Sequence, residues 1–239
     1  MEQAFVRTGL NGSALVGLLA QWDLIEQPAA APSFFVEGMG RWLGWKEAIP
    51  LSAVLQQAAP GHAVAAPHAA AASLAANAQA RANADALGRE VARVQAVLAQ
   101  AIHTDRDTVR EDGHDFLPFR RRCLTLQQAM DTSLGPLREQ LRAAVARRSP
   151  ALARLAALDA VMAQALAPRE QTLLALLPVL LEKHFLRLRS AQPHTKPHAW
   201  LDTFRQDMRR LLLAELDLRL QPSLGLLDTL RCASQGLHE

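Results

Sequence analysis

Apolar positions recur every three or four residues along most of this chain, which is the period of a helix and not of a strand. Leu15, Leu18, Leu19 and Trp22 follow Asn11-Gly12-Ser13, a cap-like start. Ser33 precedes a second apolar face of Phe34, Phe35, Met39, Trp42 and Leu43, which Gly44 stops. A third short face holds Trp45, Ile49, Leu51 and Leu55, expected to point inward, with Pro50 and Ser52 near its start. Leu87, Val91, Val94, Leu98 and Ile102 then keep a 4-3-4-4 spacing that predicts a long helix to about His103. The earlier half of that helix has only Leu74 and alanines to bury, so it either frays or packs closely on a neighbour.

From Phe119, the residues Cys123, Met130, Leu134, Leu137, Leu141 and Val145 trace a near-heptad stripe. Gly135-Pro136 is expected to kink or split it. Ser149-Pro150 reads as a cap followed by proline at the first helical position, and Ala167-Pro168 as a further restart. The helix after Pro168 is apolar on most of its circumference, which predicts a central place in a bundle. The last long helix presents Trp200, Leu201, Phe204, Met208, Leu211, Leu212 and Leu218. Gln221-Pro222 is expected to break it before a final short helix with Leu224, Leu226, Leu227 and Leu230.

The predicted fold is all-α: a bundle of long antiparallel helices with a small N-terminal helical subdomain. Three zones follow. Residues 1–58 form the aromatic-rich subdomain, 59–72 an Ala/Pro linker, and 73–239 the long-helix bundle.

Composition supports this reading. The chain has 239 residues, half of them hydrophobic, yet only 5% aromatic, with no tyrosine. Ala and Leu make up over a third of it, and they are the residues most easily placed in a helix. Strand formers are too scarce for a sandwich or barrel. The net charge is +3. The arginines are densest at Arg120, Arg121 and Arg122 and at Arg209 and Arg210, a candidate basic patch for nucleic acid. Cys123 and Cys232 stand alone, which reads as two reduced, partly buried thiols of a cytoplasmic protein. Met1 to Ala4 lacks the basic start and apolar run of a secretory signal. No run of about 18 uninterrupted apolar residues is present, so no membrane span is expected.

Motifs for catalysis do not emerge. His194 and His198 stand four apart, but Pro197 intervenes and no acid or thiol flanks them at ligand spacing. The acids from Asp105 to Asp115 put Val109 and Arg110 where an EF-hand needs an oxygen ligand and a glycine. Glu215 and Asp217, two apart on a helix, point in different directions. His184 reads as a hydrogen-bonded core or edge histidine. No metal, cofactor or catalytic residue is expected. The aromatic residues Trp22, Phe34, Phe35, Trp42 and Trp45 exceed what three short helices commonly bury, and are candidates for docking a partner.

Trp42-Leu43-Gly44-Trp45-Lys46-Glu47-Ala48-Ile49-Pro50-Leu51-Ser52 resembles the N-terminal signature of an uncharacterised proteobacterial helical family, domain-of-unknown-function family 3348. The stretches 119–148, Ser149 to Leu155 and Glu215 to Pro222 resemble its C-terminal part. The resemblance implies a soluble helical protein and brings no activity or catalytic residue with it. The function expected from these observations is a non-enzymatic helical interaction or adaptor protein. Its partner would be another protein or a second copy. The alternative is a nucleic-acid-associated regulator that uses its arginine-rich helix faces.

Overall fold

The structure is a computed structural model that describes residues 13–25, 45–56, 70–104, 115–191 and 199–235. Those residues form an all-α bundle without strands. The helices are α1 (Ala14–Gln21), α2 (Trp45–Gln56), α3 (Ala70–His103), α4 (Leu117–Ala146), α5 (Pro150–Leu174), α6 (Leu177–Ser190) and α7 (Ala199–Gln235). The chain divides into two compact units. The first holds Met1–Phe35, Val97–Met130 and Gln171–Arg219; the second holds Val36–Ala96, Asp131–Glu170 and Leu220–Glu239. Most of the expected 59–72 linker lies in 57–69, outside the described residues.

Local chemistry sets the helix ends. The Ser13 hydroxyl accepts from the Val16 amide at 3.2 Å and starts α1. That helix ends in a Schellman turn, with Leu24 N–H bonded to Leu19 O, Asp23 N–H to Ala20 O, and Asp23 at φ 51°. The Asp115 carboxylate accepts from Leu117 N at 3.0 Å, so α4 begins two residues earlier than Phe119. At Ser149-Pro150 the chain restarts as expected, the Ser149 hydroxyl accepting from Leu152 N at 3.2 Å.

The other proline signals did not break helices. Pro136, Pro168 and Pro222 all lie inside continuous helices. An interior proline costs about 3 kcal/mol, but burial of a long apolar stripe exceeds that. For Pro168 the carbonyl left without a helical donor is that of Gln164, an exposed residue that water can serve. The break falls instead at Ala175–Leu176, just ahead of Pro178.

In the first unit Phe116, Phe119, Phe185, Phe204 and Trp200 pack as an aromatic core, with Phe185 to Phe204 at 5.0 Å and Phe119 to Phe204 at 5.1 Å, both edge-on. Antiparallel α6 and α7 bring Phe185 to Phe204 and His184 to Asp207. In the second unit the core is leucine and valine: Val91, Val94, Leu134, Leu137, Leu141, Val145, Leu226, Leu227 and Leu230 are buried. Ala80 and Ala84 of α3 are 9% and 2% exposed, so this helix packs closely along that line. Arg81 reaches Ser234 O, and Arg231 and Leu227 face Gly88, so α3 and α7 are antiparallel here.

Two packing expectations are overturned. Ile49 and Leu55 of α2 are 58% and 67% exposed, not turned inward. The helix predicted to be central is not enclosed: Leu174, Leu177, Leu181 and Phe185 are buried, while Leu173, Leu176 and Leu186 face solvent. Apolar residues all round a helix are thus only half used by this fold.

Candidate functional site

Two buried polar clusters lie in the first unit. His184 is 2% exposed and its Nε2 stands 2.9 Å from Asp207 Oδ2. Arg187, which can only donate, meets His184 Nδ1 at 3.2 Å. Nδ1 is therefore the acceptor and Nε2–H donates to Asp207. Trp22 stacks on the imidazole at 4.4 Å and 13°, and Arg187 also donates to Trp22 O. Both ring nitrogens are engaged, so this is the hydrogen-bonded histidine the sequence suggested.

In the second cluster Glu215 is fully buried. Arg219 pairs with it through Nη2 at 2.7 Å and Nε at 2.9 Å. The Gln127 amide donates to Leu174 O at 3.1 Å and to both Glu215 oxygens at 3.1 and 3.2 Å. The bond to Leu174 has a backbone cause. Pro178, four residues on, has no N–H to give that carbonyl, and Gln127 supplies the missing donor. Cys123 is buried beside this pair. Burial, then the negative charge of Glu215, push its thiol up to about 12, with Arg219 pulling the other way. Cys232 is exposed, in contrast to the partly buried thiol expected. Asp217 is exposed while Glu215 is enclosed, so the two do not form a carboxylate pair.

The arginines of the candidate basic patch separate. Arg120 and Arg121 are exposed at the start of α4. Arg122 turns back onto the end of α3, donating to Ala101 O and to Thr104 O at 2.7 Å, where it caps carbonyls the helix leaves open. Arg210 faces Asp207 at 3.5 Å. Arg122 and Arg209 do come together, with Arg205, around a concavity of about 20 Å³, which is room for one water.

Phe34, Phe35 and Trp42 lie outside the described residues, and Trp45 opens α2. The ring of Trp22 is covered by its own chain at 7% exposure. The acidic stretch 105–114 and the pair His194 and His198 also lie outside.

The feature that sequence reading missed is the outer flank of α5. Only Ala156 and Leu174 of this 25-residue helix are buried. Leu155 is 40% and Leu173 53% exposed, and Leu158, Met162 and Leu166 are half-buried. At 100° per residue these five fall within about 40° of one line along the helix. The buried Ala156 and Leu174 lie about 120° away. Asp159, about 60° from both lines, takes Arg138 at 2.5 and 3.1 Å and Arg142 at 3.0 Å. The signal was present in the spacing of these leucines, but periodicity alone does not say which stripe of a doubly apolar helix faces a neighbour.

The helical run Pro150–Ser190 also contains a window of mean hydropathy 1.3, long and apolar enough to cross a membrane by length and composition, although its apolar residues are interrupted by polar ones. Among the described residues no group of three or more His, Cys, Asp or Glu gathers as a metal site.

These features define an all-α helical bundle with buried ion-paired polar layers and an uncovered apolar helix flank. The chain belongs to the family described as protein of unknown function (DUF3348), whose profile matches residues 1–232. No curated protein matches it, and no solved structure does.

Proposed function

We propose that this chain is a non-enzymatic helical interaction protein that binds a partner along the outer flank of α5. One observation carries the reading: a row of four large apolar residues, Leu155, Leu158, Met162 and Leu166, none of them buried, on a helix whose Asp159, about 60° round from the row, is ion-paired to Arg138 and Arg142. Contiguous exposed apolar rows mark contact surfaces. The exposed, unbridged Cys232 suits a reducing compartment, in keeping with a cytoplasmic setting, and the sequence resemblance suggests a proteobacterial source. The test is a photo-crosslinking side chain at Leu155 in cells, compared with one at Gln164 on the far side of the helix. Specific adducts at Leu155 alone are expected. Equal labelling at both positions would remove this reading.

A second reading, a nucleic-acid-associated regulator, rests on Arg120 and Arg121, both exposed at the start of α4, where they would meet backbone phosphates. Mobility-shift titrations of duplex and single strands would show affinity falling steeply with salt. No retardation at low salt would dispose of it.

A further inference from the structure

We propose that the second unit holds a binding site for a small organic carboxylate, in the cavity that Arg81 of α3 and Arg231 of α7 line together. The site is separate from the α5 flank and does not rest on the interaction reading.

The cavity has a volume of about 310 Å³ and is lined by Arg81, Ala84, Asp85, Arg231 and Ser234. That volume is at the lower end of the range for small-molecule pockets. All five residues belong to the second unit. Arg81 is anchored through one nitrogen: its Nε donates to Ser234 O at 2.9 Å, and its terminal nitrogens bond to no described residue. A guanidinium has donors to spare after one such bond.

Arg231 is placed by a glycine. Its guanidinium lies against Gly88, where a methyl group would stand 2.6 Å from Nη2 and 3.6 Å from Cζ. Gly88 sits inside the 34-residue, alanine-rich α3, where glycine is the poorest helix former after proline. The close approach of Arg231 accounts for it. The ion pair of Arg231 with Asp228 is long, at 3.8 Å, and Asp228 is 73% exposed, so solvent screens it. Capping the end of α7 explains Arg81 alone; it does not explain a second arginine seated over a glycine on the same cavity.

Charge selects the ligand. Two guanidiniums oppose one carboxylate, Asp85, which has no ion pair to either arginine among the described residues. The lining therefore carries an excess of one positive charge. A carboxylate closes that balance, and its two oxygens match the fork of a guanidinium. The dianion of a phosphate monoester overshoots it and meets Asp85 as a like charge. Ala84 supplies an apolar wall for the carbon end of the ligand. Because Arg231 is 47% exposed, the Kd is on the order of 1 mM.

The experiment titrates the full chain by saturation-transfer NMR with benzoate, with benzamide as its neutral isostere, and with phenyl phosphate. Benzoate should bind, benzamide should not, and phenyl phosphate should bind at least about threefold more weakly than benzoate. Arg231→Gln should weaken benzoate at least about tenfold. Gly88→Ala keeps both arginines and improves the helix, so Tm should hold or rise while the displaced guanidinium weakens benzoate at least about threefold. Asp85→Asn should bring phenyl phosphate level with benzoate or above it. Absence of benzoate binding up to about 20 mM overturns the proposal. So does equal binding of benzoate and benzamide, and so does benzoate affinity unchanged in both Arg231→Gln and Gly88→Ala. Phenyl phosphate binding the wild-type chain more tightly than benzoate would overturn the assignment to a carboxylate.

Discussion

Replacing Arg219 by Ala should be among the most damaging single changes in the first unit. Glu215 has no exposed surface, and Arg219, whose side chain is 12% exposed, pairs with it at 2.7 Å. Truncation leaves a carboxylate enclosed by protein without the guanidinium that faces it, while the Gln127 amide still donates to both oxygens. Removing one partner of a buried pair costs about 3–5 kcal/mol, because the other charge stays desolvated. For a chain of this size each kcal/mol lowers Tm by about 2–4 °C, so a fall of about 10 °C or more is expected. Glu215→Met combined with Arg219→Met removes both charges and keeps the volume. The double variant should recover most of that loss, short of about 1–2 kcal/mol for the one Gln127 N–H left unserved. Urea denaturation followed by circular dichroism supplies the two single variants, the double and the coupling energy between them. A loss below about 1 kcal/mol for Arg219→Ala, or additive effects in the double, would show that the pair is solvated and the reasoning wrong.

Four further outcomes follow from single residues. Gln127→Leu should cost about 1–3 kcal/mol by stranding Leu174 O, and Pro178→Ala in that background should return part of it by restoring a helical N–H, as chemical denaturation would read. Native protein at pH 8 should give one fast thiol with a disulfide reagent, from Cys232, and two after denaturation. Because the Cys123 thiol is raised to about 12, the folded state holds a proton that the unfolded chain releases near pH 9; stability is full below that and declines as pH rises toward 12, the opposite slope refuting the assignment. Gly225→Ala, in α7 with nothing within 4 Å of the added methyl, should stabilise by about 0.5–1 kcal/mol, visible as a higher urea midpoint.

The sequence by itself determined that the chain is helical and which stripes close the core. Val91, Val94, Leu98 and Ile102 of the 4-3-4-4 spacing and the near-heptad from Cys123 to Val145 are buried as read, with Leu87 half-buried, because period and burial express the same geometry there. Ser13 and Ser149 were legible as caps because a cap is a local hydrogen bond. Long-range balance decided the rest. Pro136, Pro168 and Pro222 each send the same local signal as Pro178, yet only Pro178 sits at a helix break. Whether a proline breaks a helix depends on what the packed stripe gains and what serves the stranded carbonyl, and Gln127 is 47 residues from the one it serves. Of the arginines that looked like a patch in sequence, Arg122 is directed at the open carbonyls of a helix end and Arg210 at Asp207. The apolar α5 offered two faces to bury, and only the tertiary structure chose Ala156 and Leu174 and left the row through Met162 uncovered, because Asp159 fixes the helix's rotation against α4.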